Sequence, residues 1–416
     1  MADQRVLLEL AGTVHRAVQE YAADSNISNY KALQTCVRRL QIAAATPEDT
    51  LFNFRLQVVQ NMGIMMLVEL GILDALVGSE AQTTTSSELA KASGCNEGVV
   101  VRLMRLACSL CFCDEVGEQT YRANKLTSLL VQPGWRGAMR WMEIIYPVAA
   151  DMRRFLTSTN FGRVLDPPVT AFEFVHKRSM WQVLENQPEQ RTNFDLWMRE
   201  RKRHEETLWH RRYPACTALS HDNLKSGPDA VLMVDVGGAN GSQLINFKKQ
   251  FPHLPGRYVL QDLPESLAAM RQPPDGIEVM AYDFFSPQPI KGARFYYFRA
   301  VFHNWPEQKC IEILRNLVPA MDPEYSTLLI DDYVLPNTGV QLHSAVADIH
   351  MMCMFNSSER TKKEYDTILE KAGLEIVAIY PAGVNEECVL EVRVSSSRGR
   401  PVLNGFKKAA PSREDE

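Results

Sequence analysis

Residues 234–242, Val-Asp-Val-Gly-Gly-Ala-Asn-Gly-Ser, constrain the fold of this chain more than any other stretch. Apolar Val231, Leu232, Met233, Val234 and Val236 lead into it and read as a buried parallel strand. Gly237, Gly238 and Gly241 follow, and Ser242, Leu244, Ile245 and Phe247 open a helical pattern. Strand, glycine turn and helix start, in that order, let a ligand approach the backbone because no Cβ stands in the way. The next apolar run, Tyr258-Val259-Leu260, ends in Gln261-Asp262-Leu263. An acid at that strand tip, about twenty residues past the glycines, is placed to accept both hydroxyls of a ribose. The pattern implies a nucleoside-containing cofactor.

The glycines run Gly-Gly-x-x-Gly, with Asp235 just before them. An acid there repels a pyrophosphate but suits the ammonium of an amino acid, which favours S-adenosylmethionine over NAD. Asp283 and Phe284 follow the run Val279-Met280-Ala281-Tyr282. They offer a carboxylate for an adenine amino group and a ring to cover its face. The expected cofactor contacts are therefore Asp235, Gly237, Gly238, Gly241, Asp262, Leu263, Asp283 and Phe284.

Composition narrows the class. The 416 residues are 45% hydrophobic and 23% charged, an ordinary globular balance for two or three domains. A net charge of −5 argues against a dedicated nucleic-acid binder. The amino terminus lacks the apolar core of a secretory signal. Gln60, Asn61, Glu69 and Asp74 interrupt the apolar stretch 58–77, so no membrane span is expected. Nine irregularly spaced cysteines read as reduced thiols of a cytoplasmic protein. Cys108, Cys111 and Cys113 form their one cluster and read as small apolar residues rather than metal ligands.

Residues 1–133 read as a helical and winged-helix domain. Helical patterns fill 1–50 and 51–78, and Thr85-Ser86-Ser87-Glu88 is a capping box. Gly94 ends that helix and Asn96 starts another; Phe112–Val116 and Tyr121 then flank Gly117-Glu118, a hairpin signal. A winged helix can read DNA, but this second helix offers Arg102 and Arg105 on an otherwise apolar sequence. Dimerisation is the better reading. Residues 134–225 form a helical linker and substrate-pocket region, with a long helical pattern near 186–213. Its charge run, Arg199 to His204, reads as a solvated face. Residues 226–395 form the cofactor domain, and 396–416 read as a disordered tail.

Within 226–395, apolar runs at 231–236, 257–261, 277–282, 294–298, 327–331, 375–380 and 388–394 alternate with helical patterns. That alternation implies an α/β, Rossmann-like doubly wound sheet with ligands at the carboxyl ends of its strands. The fourth run leads into Arg299-Ala300-Val301-Phe302-His303-Asn304-Trp305-Pro306. The fifth leads into Asp331-Asp332-Tyr333-Val334-Leu335-Pro336.

With these motifs the chain resembles the class I S-adenosylmethionine-dependent O-methyltransferases of the plant caffeate and fungal secondary-metabolite type. His-Asn-Trp-Pro resembles that family's His-Asp-Trp-x-Asp, and Asp-Tyr-Val-Leu-Pro its Glu-x-x-Leu-Pro. Residues 358–365, Ser-Glu-Arg-Thr-Lys-Lys-Glu-Tyr, resemble its Glu-Arg-Thr-x-x-Glu-Phe. The likeness spans roughly 50–395, winged-helix dimerisation region included. It implies a homodimer acting on a small hydroxylated substrate, with His303 as general base and Glu359 and Asp332 holding its ring. It places Arg299 where a lysine often lies near the cofactor's carboxylate, and Phe194, Met198 and Trp305 against the substrate. Glu359 also reads as the acid opening a helix that contains Tyr365, Ile368 and Leu369.

The chemistry agrees. A phenol with a pKa of about 10 is mostly neutral at pH 7, and an imidazole near 6.5 is the best-matched side-chain base. The sulfonium methyl is already electrophilic, so the protein has to align oxygen, carbon and sulfur and remove a proton. No metal is expected. Departures are Asn304 in place of an acid, arginine at 299, and the charge run 199–204. Two other readings stand beside this one: a pericyclase or dehydratase that uses the sulfonium as a fixed charge, and a winged-helix regulatory protein. Retention of His303 with both acids favours methyl transfer.

Overall fold

The computed structural model describes residues 3–79, 82–161, 169–201, 208–215, 219, 224–225, 227–268, 270, 272–381 and 387–395. The tail 396–416 and residues 202–204 of the charge run lie outside them. The chain divides into two compact units, residues 1–146 with 181–203, and 147–180 with 204–416.

In the first unit, helices Gln4–Ala23 and Ile27–Ala44 pack on each other, capped by the side chains of Asp3 and Asn26. Helix Pro47–Glu69 follows, with Thr46 as cap and proline at its first turn, where a missing N–H costs nothing. The expected capping box forms: Thr85 and Glu88 bond reciprocally at the start of helix Ser86–Ser93, which ends at Gly94 with φ +68°. Helix Glu97–Ser109 and the hairpin β2 (Cys113–Gly117) and β3 (Thr120–Ala123) complete the module, with β1 (Thr84–Thr85) on the hairpin's edge. Leu67, Leu73, Leu89, Val100, Met104 and Tyr121 form its core, while Arg102 and Arg105 are exposed. Helix Pro188–Arg201 also belongs to this unit. The helical pattern expected over 186–213 is thus carried by this helix and by Trp209–Arg212.

The second unit is built on one sheet: β4 (Val231–Val236), β5 (Arg257–Asp262), β6 (Glu278–Ala281), β7 (Phe295–Arg299), β8 (Thr327–Leu335), β9 (Arg360–Thr361), β10 (Leu374–Pro381) and β11 (Glu387–Val394). The spatial order is β10-β11-β8-β7-β4-β5-β6, with β9 beside β8. The five strands β4 to β8 run parallel, and the order turns outward in both directions from β4, the crevice where such sheets bind ligands. The sheet departs from doubly wound at one edge, where β11 lies antiparallel between β8 and β10. Only five residues join β10 to β11, too few for a parallel crossover, so the pair must return as a hairpin.

Two cores cover the faces of the sheet. On one, Phe298, Phe302, Ile313, Leu314 and Leu369 pack against β7 and β8. On the other, Trp209 is fully buried, its ring 4.9 Å from Phe247 and 5.1 Å from Tyr297. Three residues on, Arg212 Nη2 reaches Asp331 Oδ1 midway along β8, 2.7 Å away and almost out of contact with water. The described cysteines are free, although Cys108 and Cys113 bring their sulfurs within 3.4 Å. Among the described residues no single helix is long and apolar enough to cross a membrane.

Candidate active site

The glycine turn is shaped by the strand beside it. Gly237 and Gly238 both donate their N–H groups to Gln261 O, at 2.8 and 3.2 Å. A Cβ on Gly238 would fall 2.5 Å from both Asp235 Cγ and Leu260 Cδ1, so only glycine fits. Ala239 holds a left-handed backbone, φ +52°, and donates its N–H to Asp262 Oδ2 at 2.8 Å. Asp262 Oδ1 accepts from Leu263 N, also at 2.8 Å. The carboxylate at the tip of β5 therefore braces the loop at the tip of β4. Gln261 below it is fully buried and exchanges two 2.9 Å amide bonds with Gln288.

Gly237, at φ +72°, faces Val301 and the ring of Phe284, which lies 3.9 Å from where a Cβ would be. Phe284, Phe285 and Trp305 form an edge-on cluster with centroids 4.8 to 5.9 Å apart. Asp283 caps this turn, accepting Phe285 N at 2.9 Å. Asp235 is 1% exposed beneath the glycines, opposite Tyr297 in the β4–β7 register.

Arg299, at the end of β7, turns its Nε to Asp331 Oδ2 at 3.8 Å. Tyr297 donates its hydroxyl to the same Oδ2 at 2.7 Å, and Arg212 holds Oδ1. Burial opposes the Arg299 charge, yet Asp331, Tyr297 and Glu387 hold its proton affinity above the ordinary guanidinium value. Burial and the Asp331 carboxylate likewise push the Tyr297 phenol well up. Sequence reading named Arg299 but missed Asp331 and Arg212, since residues 119 apart leave no local pattern.

His303 sits on the short 3₁₀ turn Phe302–Asn304. Its Nδ1 lies 2.9 Å from Glu359 Oε1 and 3.4 Å from Asp332 Oδ1, with all three side chains at most 8% exposed. Asp332 Oδ2 also accepts the His303 backbone N–H at 3.3 Å. Burial pushes the Asp332 carboxyl up to about 6; His303 lowers it and Glu359 raises it. Glu359 does not open a helix: the helix begins at Lys362, capped by Thr361 and Glu364, and Glu359 precedes β9. Asp348 Oδ1 holds the Glu359 backbone N–H at 2.9 Å. Sequence spacing suggested no metal cluster, but the fold brings ligand atoms of His303, Asp332 and Glu359 within 4.8 Å of one another, a set that could hold a cation.

The turn is tied down from several sides. Arg360 donates to Phe302 O at 2.7 Å and Trp305 O at 2.6 Å, and Ser357 donates to Trp305 O at 2.8 Å. Asn304, where the resemblance leads one to expect an acid, donates Nδ2 to Ala300 O at 3.0 Å. Ala300 is itself left-handed, φ +51°. An amide can make that bond and a carboxylate cannot. Phe194 and Met198 lie one turn apart on helix Pro188–Arg201 in the first unit, where the Phe194 ring meets Trp141 at 5.1 Å.

Comparison with known proteins agrees with this architecture. Residues 169–375 match the O-methyltransferase domain family, and residues 54–133 match the O-methyltransferase dimerisation domain. The chain is 32% identical over 383 residues to demethylsterigmatocystin 6-O-methyltransferase of Aspergillus flavus, covering 89% of this chain and 94% of that one. It is 30% identical to O-methyltransferase lepI of the same organism, over 90% and 96% of the two chains. Among solved structures, LepI in complex with SAM superimposes with a TM-score of 0.83 at 28% identity, covering 93% of this chain and 100% of that one. OxaC in complex with sinefungin and meleagrin gives 0.82 at 25%, over 94% and 100%. Another similar structure, at 0.83 and 28%, is described as a pericyclic reaction enzyme and covers 93% and 100%.

Proposed function

The chain belongs to the O-methyltransferase family, and from that membership we propose that it methylates a phenolic or enolic hydroxyl of a fungal secondary metabolite, with S-adenosylmethionine as donor and His303 as general base. The observation that carries this reading is the imidazole at the strand tips with Nδ1 against two buried carboxylates.

The residues at the tips of β4 and β5 fit the cofactor. Asp262 spends one acceptor site of each oxygen on a backbone amide, which leaves further lone pairs for a ribose diol. Gly238 lets the loop close down on Asp235 and Leu260, whose side-chain atoms lie 2.5 Å from where a Cβ would be. The turn at Asp283 and Phe284, next to Gly237, suits an adenine, and Asp235 suits an ammonium. With its Nε turned to Asp331, Arg299 would act on the cofactor's carboxylate through its remaining N–H groups. When bound, the cofactor supplies an electrophilic methyl group.

The work left to the protein is proton removal. A proton on Nδ1, donated to Glu359, makes Nε2 the basic nitrogen, and the two acids stabilise the imidazolium that forms. In this reading Trp305 supplies an apolar contact to the substrate.

We read the chain as a homodimer in the cytoplasm. The dimerisation match begins within helix Pro47–Glu69, whose Leu51, Phe52, Phe54, Val58, Val59 and Met62 are exposed. A helix so apolar on several sides requires a cover, and a second copy supplies one. Its free cysteines suit a reducing compartment.

The similar pericyclic enzyme supports a second reading, with the sulfonium acting as a fixed charge. Incubation with methyl-labelled S-adenosylmethionine and hydroxylated aromatic metabolites separates the two. Label in an ether product is expected; substrate turnover without consumption of cofactor would overturn methyl transfer.

A further inference from the structure

Arg360 is 4% exposed, and its guanidinium forms no ion pair within 4.0 Å among the described residues. Its two terminal nitrogens go to neutral carbonyls, Phe302 O at 2.7 Å and Trp305 O at 2.6 Å. Those carbonyls bracket His303 in the chain, one residue before it and two after. Arg360 follows Glu359 directly and is paired to Val334 of β8, two residues past Asp332. One side chain thus ties the turn carrying the imidazole to both segments carrying its acids. A buried cation held by dipoles also keeps its full charge beside that cluster.

We infer that Arg360 is a positioning residue for His303, fixing its turn through the two carbonyls and tempering with its charge the pull of the two acids on the imidazole proton. This rests on the proposed role of His303 as base. With both acids ionised, His303, Asp332, Glu359 and Arg360 sum to −1 with a neutral imidazole and to zero with an imidazolium. Arg360 opposes that protonation, so its charge keeps the base available to lower pH. The other titratable groups facing this cluster are Asp331 on β8, Asp348 on helix Leu342–Phe355, Glu307 and Cys310 on helix Glu307–Leu317, and Tyr365 on helix Lys362–Glu370. None of these is a second cation.

Arg360→Lys and Arg360→Met separate geometry from charge. Lysine keeps the charge but cannot span two carbonyls with a planar fork. For the full chain, kcat and KM are measured from pH 5 to 9 with labelled cofactor. Arg360→Lys is expected to lose about tenfold in kcat with the acidic limb of the profile unmoved. Arg360→Met should lose at least as much and shift that limb upward by about one pH unit, with cofactor KM within about twofold of wild type. If the methionine variant does not fold, Arg360→Gln replaces it and carries the same expectation. An unmoved limb in the uncharged variant, or a limb that moves equally in the lysine variant, overturns the electrostatic role. Wild-type kcat in Arg360→Lys overturns the positioning role. A His303→Ala variant at wild-type rate would instead remove the base itself, so the two failures are distinct.

Discussion

Nδ1 of His303 lies 2.9 Å from Oε1 of Glu359, and the glutamate side chain is 1% exposed. A carboxylate this dry, paired to an imidazole, orients the ring and favours the tautomer with its lone pair on Nε2. His303→Ala should lower kcat by roughly 10²- to 10⁴-fold while the dissociation constant for S-adenosylmethionine changes by less than about twofold. Calorimetry and labelled-methyl assays on one preparation check both. Retained activity would remove the base assignment.

Asp332 gives a pH dependence with a definite sign. Its folded carboxyl titrates near 6 because it is buried, above the ordinary value of 3.8. Between those values the unfolded chain releases a proton that the folded chain keeps, so stability falls as pH rises through that window. Asp332→Asn never ionises. It should melt close to wild type at pH 4 and about 3 °C higher at pH 8, in thermal unfolding scans. A lower melting temperature at pH 8 would contradict the burial argument.

The glycine loop predicts cofactor effects without loss of the base. Gly238→Ala drives a methyl group into Asp235 and Leu260. Asp262→Ala leaves the Ala239 and Leu263 amides without their acceptor. Each should weaken S-adenosylmethionine binding by about 10- to 100-fold. Unchanged affinity in either variant would discredit the contact it tests.

Asn304→Asp sets a carboxylate against the carbonyl of Ala300, where the amide now donates at 3.0 Å. The left-handed turn loses its tie, and kcat is expected to fall about tenfold with cofactor affinity intact. A kcat equal to wild type would show that this bond does not place His303.

Charged residues on the bare helix test the assembly. Phe54→Glu with Val58→Glu, at positions 70% and 62% exposed, should convert a dimer to monomers in sedimentation velocity without lowering the helical content. A persistent dimer would move the interface elsewhere.

The strand tips were legible because β4, β5, β7 and β8 are buried apolar runs ending in polar residues, while β6 lies largely exposed at the edge of the sheet. The five parallel strands, the Thr85–Glu88 capping box and the β2–β3 hairpin all stand where those signals fall. The edge hairpin was not, since Leu374–Pro381 and Glu387–Val394 carry apolar runs that fit either strand direction. Glu359 was found through its motif but misread as a helix opener, because Thr361 and Glu364 three residues on are the actual cap. Arg360 sat inside that motif without a role. A cation that binds carbonyls, with no ion pair among the described residues, leaves no charge pairing to reveal it.

The indole of Trp209 and the guanidinium of Arg212 have a practical consequence for anyone cutting this chain. They precede the first strand of the sheet by some twenty residues, yet they plug its underside and neutralise Asp331. A fragment started at 226 would carry an indole-sized hole and a dry carboxylate stripped of its closest counterion. The smallest excisable catalytic half therefore starts upstream of Trp209.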